Sequence, residues 1–174
     1  AGLTVYFNQL KAGMVVPNDV KINASDEVVI TGDFLGTLNY IASSLSTISN
    51  VYARKVFVLK TANSGAFIWG KALGSNNEIS AKALAVDGLK NCYITGYFKC
   101  DFSQLHDVQT ALYNSIGYKD GFFWKLTDAG TTLGVKQFGG KENDEGQGIA
   151  LISNNVPILC GSYGENVFIP FTPS

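Results

Sequence analysis

Apolar and polar positions fall into short strand-type runs separated by turn residues, and the runs return in the same order. Val28-Val29-Ile30 is continuously apolar. Cys92-Tyr93-Ile94-Thr95-Gly96-Tyr97-Phe98 carries apolar or aromatic residues on both faces. Strands of that kind are covered on both sides. In the clearer copy, residues 81–86 read as a first strand and Asp87-Gly88-Leu89-Lys90-Asn91 as a turn, with Gly and Asn to supply positive φ. Residues 92–98 follow as a second strand and 121–126 as a third. Asp128-Ala129-Gly130 is a tight turn before a fourth strand at 133–138. The earlier copy has its strands at 19–23, 28–34, 55–61 and 66–73, with Asn63-Ser64-Gly65 as the tight turn. A further copy opens at Gly148-Ile149-Ala150-Leu151.

The copies lie 64–65 residues apart. Phe57, Lys60, Gly65, Lys71 and Gly74 return as Phe122, Lys125, Gly130, Lys136 and Gly139. Ile30-Thr31-Gly32-Asp33-Phe34 returns as Ile94-Thr95-Gly96-Tyr97-Phe98, and once more, degraded, as Leu159-Cys160-Gly161-Ser162-Tyr163. A period of this size marks a modular array. The pattern predicts an all-β chain of four-stranded antiparallel sheets, stacked face to face like the blades of a β-propeller. The units span approximately 1–18, 19–79, 80–144 and 145–174, the first and last partial. Phe57, Trp69, Phe122, Trp124 and Phe138 are expected in the core between sheets. The copies differ most in their long connections, 36–54 and 100–119, where binding is expected.

Composition narrows the classes. Hydrophobic residues make up 46% and charged residues 16%, so disorder is not expected. The formal net charge of −1 gives no sign of a nucleic-acid or anionic-membrane binder. No stretch of 18 apolar residues predicts a membrane-spanning helix. A chain opening at Ala1 is expected to be processed or part of something longer. The three cysteines, Cys92, Cys100 and Cys160, show no disulfide framework or metal spacing and are expected as small buried hydrophobes.

Few residues suggest chemistry. His106 is the one histidine, it sits in the second connection, and no nucleophile elbow partners it. Glu142, Asp144 and Glu145 offer oxygen ligands that suit Ca²⁺, but the order of a helix–loop–helix calcium loop is missing, so a solvated turn is expected and no cofactor is assigned. Asp26, Asp87 and Asn154 are expected to bond their own backbone in equivalent turns. Lys60, Lys71, Lys125 and Lys136 recur with the period, which points to a structural role, snorkelling over aromatic neighbours and guarding strand edges. Asn23-Ala24-Ser25 matches a glycosylation sequon, a pattern common by chance. Candidate binding residues on the connections are Tyr40, His106, Asp107, Tyr113 and Tyr118.

These residues also resemble a known repeat. Gly148-Ile149-Ala150-Leu151, Asn154-Asn155 and Ile158-Leu159-Cys160-Gly161-Ser162-Tyr163 are similar to the bacterial seven-bladed, or SBBP-type, propeller repeat. So are Ala85-Val86-Asp87, Tyr93 to Phe98, Asp101-Phe102, Asp120-Gly121-Phe122, Lys125-Leu126, Lys136 and Phe138-Gly139-Gly140. Trp69-Gly70-Lys71-Ala72-Leu73-Gly74 is the earlier version of the closing element. The resemblance covers most of residues 19–168 and implies a secreted or surface-exposed bacterial protein with no shared catalytic set. A closed propeller takes about four blades or more. Fewer than three periods imply a fragment, a ring completed by several chains, or an open array. On this reading the chain is an extracellular binding or scaffold module, and not an enzyme. It would contact protein or glycan through its connections, and other copies or remaining blades through its open ends, where residues 3–10 and 167–171 could offer strands. The alternatives are a fragment of a propeller hydrolase or lyase with a site at the channel mouth, and a self-assembling filament or lattice subunit.

Overall fold

The computed structural model describes residues 10–11, 14–36, 38–40, 43–44, 54–74, 77–99, 101–102 and 113–164. Two four-stranded antiparallel sheets and a two-stranded one follow each other along the chain. Blade one contains β2 (Met14–Ile22), β3 (Val28–Leu35), β6 (Arg54–Thr61) and β7 (Phe67–Gly74), side by side in that order. Blade two repeats it with β8 (Glu78–Val86), β9 (Cys92–Lys99), β12 (Asp120–Leu126) and β13 (Thr132–Phe138). Blade three consists of the hairpin β14 (Glu145–Ile152) and β15 (Val156–Ser162). Short strands lie within the connections: β4 (Asn39–Tyr40) and β5 (Ser43–Ser44) form one small sheet with β1 (Leu10–Lys11), and β10 (Asp101–Phe102) with β11 (Tyr113–Asn114) another. No α-helix occurs among the described residues.

The repeat holds at the level of register. Gly32, Gly96 and Gly161 face Pro17, Ala81 and Gly146, and in each blade the next residue of the inner strand is skipped by a bulge. The recurring glycine has a physical cause. A Cβ on Gly32 would lie 2.2 Å from the Val16 carbonyl oxygen. On Gly96 it would lie 1.9 Å from that of Ser80, and on Gly161 1.9 Å from that of Glu145. The bulge presses the inner strand onto its neighbour, and no side chain fits between them. The threonine before the glycine also makes the same bond in both full blades. Thr31 donates to the Phe57 carbonyl and Thr95 to that of Phe122, both at 2.8 Å.

The turns repeat as well. Left-handed backbone recurs at Asp26, Lys90 and Asn155, and at Gly65 and Gly130. Two expectations are corrected here. In the 87–91 turn it is Lys90, not Gly88 or Asn91, that takes positive φ. The Asx positions are Asn23 and Asp87, not Asp26. The Asn23 side-chain oxygen accepts from the Ser25 and Glu27 amides, and Asp87 Oδ1 accepts from those of Leu89 and Asn91. The alignment of these turns slips by three residues when only Asx identity guides it. The inner strands β2 and β8 also open earlier than expected, at Met14 and Glu78. The bulges that follow Pro17 and Ala81 break the alternation of each strand and hide its first half.

The blades stack through their apolar faces. Val29, Val56, Val58 and Leu73 of blade one meet Ile79, Leu84, Ile94, Phe98, Phe122 and Trp124 of blade two, with Trp69 half-buried against them. Ala85, Tyr93, Phe123 and Phe138 carry Ile149, Leu151 and Leu159 of blade three. Inner strands adjoin: β8 packs on β2, β3 and β6, and β14 packs on β8, β9 and β12. Phe122, Trp124 and Phe138 are buried between sheets as expected, while Phe57 is buried in a separate cluster of blade one with Val28, Ile30, Phe34, Leu38 and Leu59. Cys92 is buried, but Cys160 is exposed on the hairpin of blade three, against expectation. Cys100 and the candidate strands at 3–10 and 167–171 lie outside the described residues, Leu10 excepted.

Candidate functional site

The acidic candidates do not converge. Asp144 is buried, and its two oxygens accept from the Gly140 amide at 2.6 Å and the Gly164 amide at 2.9 Å. It pins one chain turn to the next, which corrects the expectation of a solvated turn at this residue. Glu145 pairs with Lys119 at 3.1 Å, while Glu142 is exposed. Among the described residues no group of three or more His, Cys, Asp or Glu side chains is arranged to hold a metal ion. Tyr118 is exposed. Tyr40 and Tyr113 lie on the short strands β4 and β11 within the connections, and His106 and Asp107 fall outside the described residues.

The densest charge cluster is one the sequence pattern left unread. It joins blade one to blade two. Lys60, 2% exposed at its side chain, sits between Glu27 of its own blade, at 2.6 Å, and Asp128 in the tight turn of β12–β13. Lys90 adds a second cation, 3.0 Å from Asp128 and 3.9 Å from Glu27. The Trp69 indole donates to the Asp128 carbonyl at 2.8 Å. Gly130 closes the turn against the Trp69 ring, where a Cβ would come within 2.8 Å of it. Burial works against the Lys60 ammonium, but Asp128 and Glu27 outweigh it and hold its pKa above the ordinary lysine value. The hydrogen bond from Lys60 holds Glu27 below the usual carboxylate value. Desolvation of Asp128 is overcome by Lys60 and Lys90, and its pKa also falls. Lys60 therefore does not snorkel to solvent as expected: it is an ion-paired bolt between blades. Lys125, one period later, does lie over an aromatic ring, 5.1 Å from the centroid of Tyr93.

A second polar joint lies nearer the inner strands. Asp33 is buried and accepts from the Ser80 hydroxyl at 2.7 Å and the Ala81 amide at 2.9 Å. Burial pushes its pKa up despite these bonds. Asn18 donates to the Ala81 carbonyl at 2.6 Å, and Asp19 accepts from the Leu84 amide at 2.9 Å. These side chains satisfy backbone groups around the β8 bulge. Within blade two, Asp120 accepts from the Ile116 amide and from Gln137, and Asp87 accepts from the Tyr93 hydroxyl at 2.9 Å. Burial pushes the Cys92 thiol up to about 12, so it is neither a nucleophile nor a thiolate ligand at neutral pH. Among the described residues no buried side-chain nitrogen or oxygen lacks a partner. The only advance sign of the Lys60 cluster was the pairing of a periodic lysine with an Asp or Asn three residues after its counterpart, in the tight turn.

No protein-family model matches this chain, and no curated protein matches it.

Proposed function

We propose that this chain is a non-enzymatic binding or scaffold module of propeller-repeat type that acts outside the cell. The observation that carries the reading is the use of its polar side chains. Asp33, Lys60, Asp87, Asp120, Asp128 and Asp144 each serve a turn, a bulge or a blade junction, so the charge that could perform chemistry is tied to architecture. Variation is left to the connections, 36–54 and 100–119, the second of which is tied to the sheets at its end by the Ile116 amide on Asp120 and by Lys119 on Glu145. Exposed Ile116 and Tyr118 follow the second connection's core and give it apolar contact area for protein or glycan. The extracellular setting and kinship with SBBP-type repeats rest on the sequence resemblance.

The test compares the parent with a variant in which residues 100–119 are replaced by a short Gly/Ser link. Both are applied to a glycan array and to immobilised cell-surface proteins. The variant should fold and lose binding. Undiminished binding by the variant, or turnover of a polysaccharide by the parent, would overturn the reading.

A further inference from the structure

Blade three repeats the inner half of its predecessors, with the same bulge and the same close glycine, Gly161 against Gly146. In blades one and two the second strand gives its outer edge to a third, β3 to β6 and β9 to β12. Among the described residues β15 pairs only with β14. Its residues alternate between exposed and half-buried. Leu159 packs towards blade two, while Val156, Ile158 and Cys160 are exposed.

Blade two also carries the face on which an outer hairpin would rest. The junction between blades one and two supplies the template. There Lys60, opposite Val29 and Trp69 in its sheet, receives Asp128 from the turn of the β12–β13 hairpin. One period on, Lys125 stands opposite Tyr93 and Gly134 in the same register. It is half-buried, and among the described residues no carboxylate pairs with it. Where Trp69 of blade one supports the turn that blade two brings to it, the equivalent position in blade two, Gly134, is open, with no atom within 4 Å of a Cβ placed there. A neighbouring apolar side chain, Leu133, is exposed.

We propose that the free edge of β15 and the Lys125 face of blade two form a docking site for a β-hairpin of this same repeat type, whose turn carries an acidic residue against Lys125. The occupant's first strand extends the sheet from β15 by backbone hydrogen bonds, which give affinity without much sequence demand. Its apolar side chains extend the contact that Ile149, Leu151 and Leu159 already make with the buried Tyr93 and Phe123, and meet the exposed Leu133. Its turn acid meets Lys125 as Asp128 meets Lys60, and that contact selects a hairpin in the correct register over any other edge strand. The inference rests on the binding-module reading and gives it a partner class.

The probe is a fluorescent peptide of residues 120–138, the chain's own β12–β13 sequence, titrated into the intact chain. Saturable one-to-one binding is expected. Asp128→Lys in the peptide should weaken it about tenfold or more, Lys125→Glu in the chain should do the same, and combining the two should restore it. Thermal melts check that the chain variant is folded. If it is not, peptides with Asp128 and with Asp128→Asn against the parent chain carry the comparison. No binding overturns the proposal, as does equal binding of the Asp128→Lys peptide. Dimerisation of the free chain that Lys125→Glu abolishes would assign the face to a second copy. Binding seen only after removal of residues 165–174 would assign it to the chain's own tail. Either result overturns the proposal. None of them bears on the connection-replacement experiment, so the two readings fail separately.

Discussion

Gly96→Ala places a methyl group where the inner strand already is. The added carbon would lie 1.9 Å from the Ser80 carbonyl oxygen and 2.9 Å from both the Ser80 carbonyl carbon and the Ala81 Cα. All three atoms are backbone, so no side chain can rotate away. Relief requires β8 to leave β9 at the bulge, and β8 is also the strand that packs against blade one and against β14. Overpacking of this kind costs about 1–3 kcal/mol. One or two weakened ladder hydrogen bonds add about 1 kcal/mol each. The expected loss is therefore about 2–5 kcal/mol, a large share of the stability of a typical domain. Urea unfolding followed by the fluorescence of Trp69 and Trp124 measures it, with Gly88→Ala as control, since nothing lies within 4 Å of a Cβ at that position. Gly161→Ala meets the Glu145 carbonyl oxygen at the same 1.9 Å, but on a two-stranded hairpin, and should loosen blade three rather than the whole chain. A Gly96→Ala protein within about 0.5 kcal/mol of the parent would refute the close-approach explanation of the repeat.

Gly134→Ala should be neutral or stabilise by about 0.5 kcal/mol, because the site is open and its φ is not positive; a urea midpoint well below the parent's counts against this. Trp124→Ala removes a ring that is 1% exposed at the junction of blades one and two, and with it a hydrogen bond to Thr132, so a loss of about 3–5 kcal/mol is expected; unchanged thermal stability would contradict it. Lys60→Met leaves Glu27 and Asp128 without their central cation; since both acids are partly exposed, solvent screening should hold the loss to about 1–3 kcal/mol in the same assay. The acid limb of the stability curve has a definite sign. Glu27 and Asp128 have lowered folded pKa values, so their contribution is complete above the unfolded carboxylate value of about 4 and is lost as pH falls through the folded values. Asp33, raised by burial, opposes this, because its protonation on acidification relieves a buried charge. Asp128→Asn should therefore lose less stability than the parent between about pH 5 and pH 3, and an identical acid limb would remove the cluster from the account.

The strands and their period were legible because packing constrains both faces of the second strand in each full blade, β3 and β9. Val28-Val29-Ile30 and Cys92 to Phe98 have no solvent face to blur the pattern. The glycine of the Ile-Thr-Gly motif could be seen to recur, but its cause could not. That cause is a bulge on the neighbouring strand, and the skipped residues Asn18, Lys82 and Gln147 share no side-chain type. The turn alignment misled because backbone conformation, not residue identity, repeats there: Asp26, Lys90 and Asn155 share only a positive φ. The Lys60 cluster stayed hidden because its partners come from different units, 33 and 68 residues away from Lys60. Periodicity can say that a lysine recurs. Only the stacking of two blades brings it to its carboxylates.

The central claim is that three copies of one blade stack along the chain and that, among the described residues, β15 of the third is paired on one side only. Residue-resolved hydrogen exchange on the intact chain tests it most directly. Amides of β3 and β6 should exchange slowly, and those of β9 and β12 should repeat the pattern 64–65 residues later. Amides of β15 such as Leu159 and Gly161 should exchange faster than their counterparts Ile94 and Gly96, and should slow when the 120–138 peptide is added. Protection without that period, or a β15 as protected as β9 in the free chain, would contradict the account.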